Sequence, residues 1–155
     1  MVAIAIIWSV PVNAQCKTWE GSPKMEAATD AHTVYRGMVN SKENKGYDNE
    51  EAFAQWKMAY EIAPAADGKR SFHYSDGRKF YMHKFNTEKD EAKKKEYVEM
   101  ILKLYDEHVE CYPKESPAIL GLKAYDMFYN FLHKLFNFHQ THFSSFLPFV
   151  FSSHP

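Results

Sequence analysis

The residues of this 155-residue chain best able to do chemistry are its eight histidines and two cysteines. A histidine can ligate a metal or move a proton near neutral pH, and a cysteine can ligate, attack or cross-link. The spacing supports little of this. His32 and His108 fall close to apolar stripes of helical period, the usual setting of a hydrogen-bonded core histidine. His73 and His83 lie on opposite sides of one helical segment. His139 and His142 are three apart and His133 is six before His139, yet no Asp or Glu follows Asp126 to stand behind them. A zinc site wants three or four converging ligands with hydrogen-bond acceptors behind them, so neither a metal nor another cofactor is expected. Cys16 and Cys111 lack a CxxC spacing, which leaves two readings: one long-range disulfide, or two buried thiols. As a disulfide the pair would close a loop of nearly a hundred residues, worth about 4–5 kcal/mol by the loop-entropy argument. There is no GxSxG, HExxH, P-loop, dinucleotide fingerprint or EF-hand loop, and no carboxylate pair sits in an apolar segment where burial could tune it as an acid. Catalytic residues are therefore not expected, and the chain reads as a non-enzyme.

The elements that must position these groups are helices. Ser22-Pro23 supplies an N-cap and a first-turn proline, and Met25, Ala28, Ala31, Tyr35, Met38 and Val39 then recur at spacings of three and four, which predicts helix one to about Lys42. After the polar SKENKGYDN turn, Asn49 caps helix two, with Ala52, Phe53, Trp56, Ala59, Tyr60 and Ala63 on one stripe before Pro64 stops it. The short PAADG linker requires the next element to lie beside helix two. Tyr74, Gly77, Phe80, Tyr81 and Phe85 predict helix three. Thr87 with Asp90 reads as a capping box for helix four, which runs from Ala92 through Ile101, Leu102, Tyr105 and His108 to a stop at Pro113. Ser116-Pro117 opens helix five. Five amphipathic helices with no alternating strand pattern define an all-α fold of antiparallel hairpins.

Helical pairs closed by a proline, at Pro64 and again at Pro113, suggest a repeated unit. Ala52 precedes Trp56 by four residues, Ala59 by seven and Pro64 by twelve. This resembles the second half of a tetratricopeptide repeat, in which small residues let two helices approach, an aromatic fills between them and a proline ends the unit. Tyr47-Asp48 looks like the family's turn between helices. In the second unit Gly77 and Phe80 can stand for the glycine and following aromatic of the first helix, and Tyr105 alone keeps the pattern before Pro113. The resemblance spans roughly residues 24 to 130 and is strongest over 46 to 64. The runs CKTWEGSP, YEIAPAADGKR and LYDEHVECYP are similar to exported bacterial tetratricopeptide-repeat proteins. What this implies is a short solenoid of stacked hairpins, TPR-like, whose first helices line an inner face: Thr33, Arg36 and Asn40 from helix one, Tyr74, Arg78 and Tyr81 from helix three. Arg and Tyr suit peptide and carboxylate recognition. The expected function is then a protein- or peptide-interaction scaffold; the alternative is a small helical ligand- or metal-binding protein with an aromatic or His-lined pocket.

Charge adds an exclusion. With 19 basic and 20 acidic residues, the chain has no footprint for a nucleic acid or an anionic membrane, and the partner expected is an unidentified protein or peptide. The uncharged start, MVAIAIIWSVPVNAQ, is too short in its apolar part to span a bilayer and reads as a signal peptide over residues 1–14, cut after Ala14, although it lacks a basic n-region. The domain expected is 15–130, exported to the periplasm or secreted, with no membrane span in the mature chain. Gln15 argues against a lipid on Cys16. Residues 131–155, FLHKLFNFHQTHFSSFLPFVFSSHP, change character, with seven Phe, four His and a single Lys. Three readings fit this tail: a cap on the array, a sticky segment for a membrane or partner, or a non-native end such as a frameshift leaves. The abrupt loss of acidic residues fits the last two, and the non-native end is the reading preferred.

Overall fold

The structure is a computed structural model that describes residues 16–41 and 46–132. The expected leader, His133, His139, His142 and nearly all of the Phe/His-rich tail lie outside the described residues. Those described form helices and turns only: α1 (Met25–Asn40), a short 3-10 turn (Gly46–Asp48), α2 (Glu50–Ile62), α3 (Phe72–Thr87), α4 (Glu91–Cys111), α5 (Ser116–Tyr125) and a π-helical continuation (Asp126–Leu132). No helix among them is long and apolar enough to cross a membrane. The chain divides into two compact units, Met1–Pro113 and Lys114–Pro155.

Local chemistry sets the helix ends. Asn49 caps α2, its Oδ1 accepting from the Ala52 amide at 2.9 Å. Pro64 cannot extend α2, and Ala63 closes it with its N–H donating to the Ala59 carbonyl. Two expected caps differ. Ser22 does not cap α1 directly; its hydroxyl accepts from the Lys24 amide, and Trp19–Ser22 form a turn that delivers the chain to Met25. At α4 the cap is Asp90, whose Oδ1 accepts from Ala92 and Lys93, whereas Thr87 is the last residue of α3 and bonds back to its own helix at the His83 carbonyl. A carboxylate outcompetes a hydroxyl as acceptor for first-turn amides.

Within the first unit α1 packs on α2 and α3 packs on α4, and α3 also lies against α2. The core is aromatic and small: Ala31, Tyr35, Ala52, Trp56, Ala59, Tyr74, Phe80 and Leu104 are buried together. Trp56 spans the α2–α3 boundary, its Nε1–H donating to the His73 carbonyl at 2.8 Å. Gly77 faces the Trp56 ring so closely that an added Cβ would lie 2.3 Å from Cζ2, and 3.0 Å from Leu104 Cδ1. Only a glycine lets the two helices and the indole share this space. Phe53, Trp56 and Tyr60 continue the aromatic stack along α2.

The linker after α2 is part of the core. Ala63, Ala65 and Ala66 are buried, and Ala66 adopts a left-handed φ of 50°. That conformation costs an alanine roughly 1 kcal/mol, and three sets of contacts hold it. The Ala66 amide bonds to the Ala63 carbonyl, the residue 16–22 segment runs alongside with Ala65 N–H donating to Lys17 O at 3.1 Å and Trp19 N–H donating to Ala66 O at 3.0 Å, and Tyr112 donates to the carbonyls of Ala65 and Arg70. Cys16 and Cys111 form a disulfide that ties this segment to the end of α4. Of the two readings open to the cysteines, cross-linking is the one realised.

Candidate functional site

The strongest concentration of polar side chains lies where α1 meets α3. Helical spacing puts His32, Tyr35 and Arg36 on one side of α1, and His73 and Asp76 on the facing side of α3. Asp76 is almost wholly buried. Its Oδ2 accepts from Arg36 Nη1 at 2.7 Å and from the Tyr35 hydroxyl at 3.3 Å; its Oδ1 accepts from the Tyr47 hydroxyl at 2.7 Å, with Lys79 Nζ at 3.5 Å. A buried carboxylate survives folding only when so supplied with donors. Burial and the neighbouring carboxylate push the Tyr35 and Tyr47 hydroxyls above the ordinary phenol range, so both remain donors.

Beside it sits a histidine pair. His73 Nδ1 lies 2.8 Å from the Ala63 carbonyl, which can only accept, so this nitrogen carries the proton and Nε2 is an acceptor. His32 Nδ1, 2.9 Å from that Nε2, must then be the donor. The geometry thus fixes both tautomers. Burial lowers the His73 pKa to about 4, against which the Ala63 bond pulls only partly back. Burial also lowers that of His32, helped by the Arg36 and Arg70 guanidiniums. Trp19 covers the pair edge-on, its ring centroid 5.2 Å from His32 and 5.8 Å from His73. Arg36 stacks on Phe72 at 4.1 Å and Arg70 approaches the same ring at 5.5 Å.

The six residues expected on one inner face are placed in three settings. Thr33 and Asn40 are exposed on α1, and Arg36 is partly exposed and engaged with Asp76. Tyr74 is fully buried, stacked on His108 and near Tyr112. Arg78 is buried as well, donating to His108 Nδ1 at 2.9 Å and lying over the Tyr105 ring. Tyr81 packs against Phe53 and Trp56 of α2 and Tyr97 of α4. The three α3 residues therefore face α2 and α4, whereas those of α1 face outward or towards Asp76. Helix-wheel spacing gives which residues share a side but not which neighbour that side meets. The framework residues sit as follows: Ala52, Trp56, Ala59, Gly77 and Tyr105 are buried, Pro64 is half-buried just beyond α2, and Pro113 is exposed beyond α4. Sequence reasoning missed Asp76, Tyr47 and Lys79. The available signal was the lone acid of α3, set between Tyr74 and Phe80 in a helix whose other charges are basic.

Among the described residues no group of three or more His, Cys, Asp or Glu converges as a metal site. The His pair spends its facing nitrogens on each other, which suits a structural bond better than ligation. No protein-family model, curated protein or solved structure matches the chain.

Proposed function

We propose that the protein is a non-catalytic interaction scaffold of TPR-like helical hairpins, exported to the cell envelope, which binds a protein or peptide along the outward side of α1 and α3. The observation that carries this reading is the side-chain bridging of α1 to α3. His32–His73 and Arg36–Asp76 join the first helices of successive hairpins, while α2 and α4 each pack on the helix preceding them. This order agrees with a helical-hairpin array, in which first helices line one face, and supports that reading. Thr33, Arg36 and Asn40 on α1, with the exposed Lys79 on α3, then offer hydroxyl, guanidinium, amide and ammonium groups to a partner's backbone and carboxylates. The disulfide favours an oxidising compartment and so supports export.

The test is capture from an envelope extract by the full chain, run beside a Thr33→Arg/Asn40→Arg variant. Both substitutions fall on exposed positions and leave the core intact. A protein retained by the wild type and lost by the variant is expected. Equal retention by both, or none by either, would sink this binding face.

A further inference from the structure

Residues 16–22 reach the hairpins through few contacts. Lys17 O and Trp19 N–H each make one backbone bond to the Ala65–Ala66 turn, Trp19 lies edge-on against two imidazoles, and Thr18 Cγ2 would stand 3.1 Å from a Cβ added to Gly68. Lys17 and Glu20 are exposed. Ordering seven residues costs backbone entropy at every one of them, and two backbone bonds, the Trp19 edge contacts and the partial burial of Cys16, Thr18 and Ser22 do not match that cost. The remaining fixture is covalent, the bond from Cys16 to Cys111, and neither cysteine is fully buried. The helices under the segment have their own support: α1 to α4 are joined by Asp76, Trp56 and the aromatic core, and the Ala65–Ala66 turn keeps the Ala66–Ala63 bond and the Tyr112 hydroxyl when the segment leaves.

We propose that residues 16–22 are a redox-released strap: the Cys16–Cys111 disulfide holds Trp19 over the His32–His73 pair, and its reduction frees the strap while the hairpins stay folded. The chemistry is thiol–disulfide exchange. Two electrons and two protons from a dithiol convert the S–S bond to two thiols, and the dithiol leaves as a disulfide. Release uncovers His32 at the edge of the α1/α3 face. The device stands whether or not that face binds a partner.

The experiment is limited trypsin digestion of the full chain, oxidised and after dithiothreitol treatment, with cleavage after Lys17 followed by mass. His32 modification by diethyl pyrocarbonate is measured in parallel. Reduction is expected to speed cleavage at Lys17 roughly tenfold or more and to raise His32 reactivity severalfold, with Lys57 in α2 and Lys103 in α4 still protected and cut far more slowly than Lys17. A Cys16→Ser variant should show the reduced behaviour without dithiothreitol, which separates loss of the bond from any other effect of the reductant. An unchanged rate at Lys17 overturns the proposal, because the strap then holds without its disulfide. Cleavage at Lys57 and Lys103 as fast as at Lys17 after reduction also overturns it, since the hairpins would then have unfolded with the strap. Faster cleavage at Lys17 with unchanged His32 reactivity removes the covering role.

Discussion

Helix α3 has two sides that solve the packing problem by opposite means. Towards α2 and α4 it offers Gly77 to the Trp56 ring and to Leu104, a contact with no spare volume. Towards α1 it offers His73 and Asp76, each satisfied by named donors and acceptors across the gap. The apolar side gains from area and close approach and is selective through shape alone, since its contacts have no direction. The polar side gains little net energy, because every bond replaces one to water, yet it penalises any misalignment heavily. The difference teaches where each property resides: stability comes mainly from the Trp56 seam, and the relative placement of α1 and α3 from the Asp76 seam.

The sharpest way to break this contrast is Gly77→Ala. The new methyl would overlap an indole that cannot retreat freely, since its Nε1–H is held by the His73 carbonyl. A loss of about 3 kcal/mol or more is expected in urea unfolding, at the upper end for overpacking. A loss under about 1 kcal/mol would mean the seam is plastic. Asp76→Ala should come next, at about 2–4 kcal/mol, because it strands Tyr35, Tyr47 and a half-buried guanidinium. Asp76→Asn keeps the shape and part of the bonding and should cost about half as much. Equal costs for the two would show that the carboxylate's charge, and not its oxygens, holds α1 to α3.

The apolar seam was largely legible in the sequence and the polar one was not. Ala52, Trp56, Ala59 and the stop at Pro64 carry helical period and a breaker, so α2 and its buried stripe follow from spacing alone. Gly77 in a helix otherwise rich in aromatics already hinted at a close approach. The all-helical class and the disulfide option follow from the same reading. Asp76 gave no periodic signal, since a single acid in a helix is ordinarily solvated. Apart from Lys79, its partners come from α1 and from the 3-10 turn, 29 to 41 residues away in sequence. Tyr74 and Arg78 were misplaced onto an open face for a related reason: what covers a helix side is decided by tertiary neighbours, here His108, Tyr105 and Tyr112.

The histidine pair sharpens the comparison through pH. Both imidazoles are held below their ordinary pKa, that of His73 at about 4, so the folded state binds fewer protons than the unfolded chain. The pair's contribution is therefore complete above the unfolded value near 6.5 and is lost as pH falls towards about 4. The expected loss over that window is on the order of 2–3 kcal/mol, measured by urea unfolding at stepped pH. The Gly77→Ala protein should lose stability at every pH and keep the same slope, because its defect lies on the other side of α3. A flat profile between pH 7 and 4.5 would remove the buried pair from the account.

The smallest effect tests whether a bond on the surface behaves like the buried ones. Lys84 reaches Glu50 at 2.6 Å and lies over the Phe53 ring at 4.3 Å. Glu50 is largely exposed, so water screens the ion pair and the side chains lose rotamer freedom to hold it. Lys84→Ala should therefore cost no more than about 1 kcal/mol, most of it from the ring contact. Lys84→Met, which keeps the aliphatic stem over Phe53, should recover part of that loss, and Glu50→Gln should change stability by only a few tenths of a kcal/mol. If Glu50→Gln instead cost as much as Asp76→Asn, the number of bonds and not their burial would set the energetics, and the contrast between the two sides of α3 would lose its physical basis.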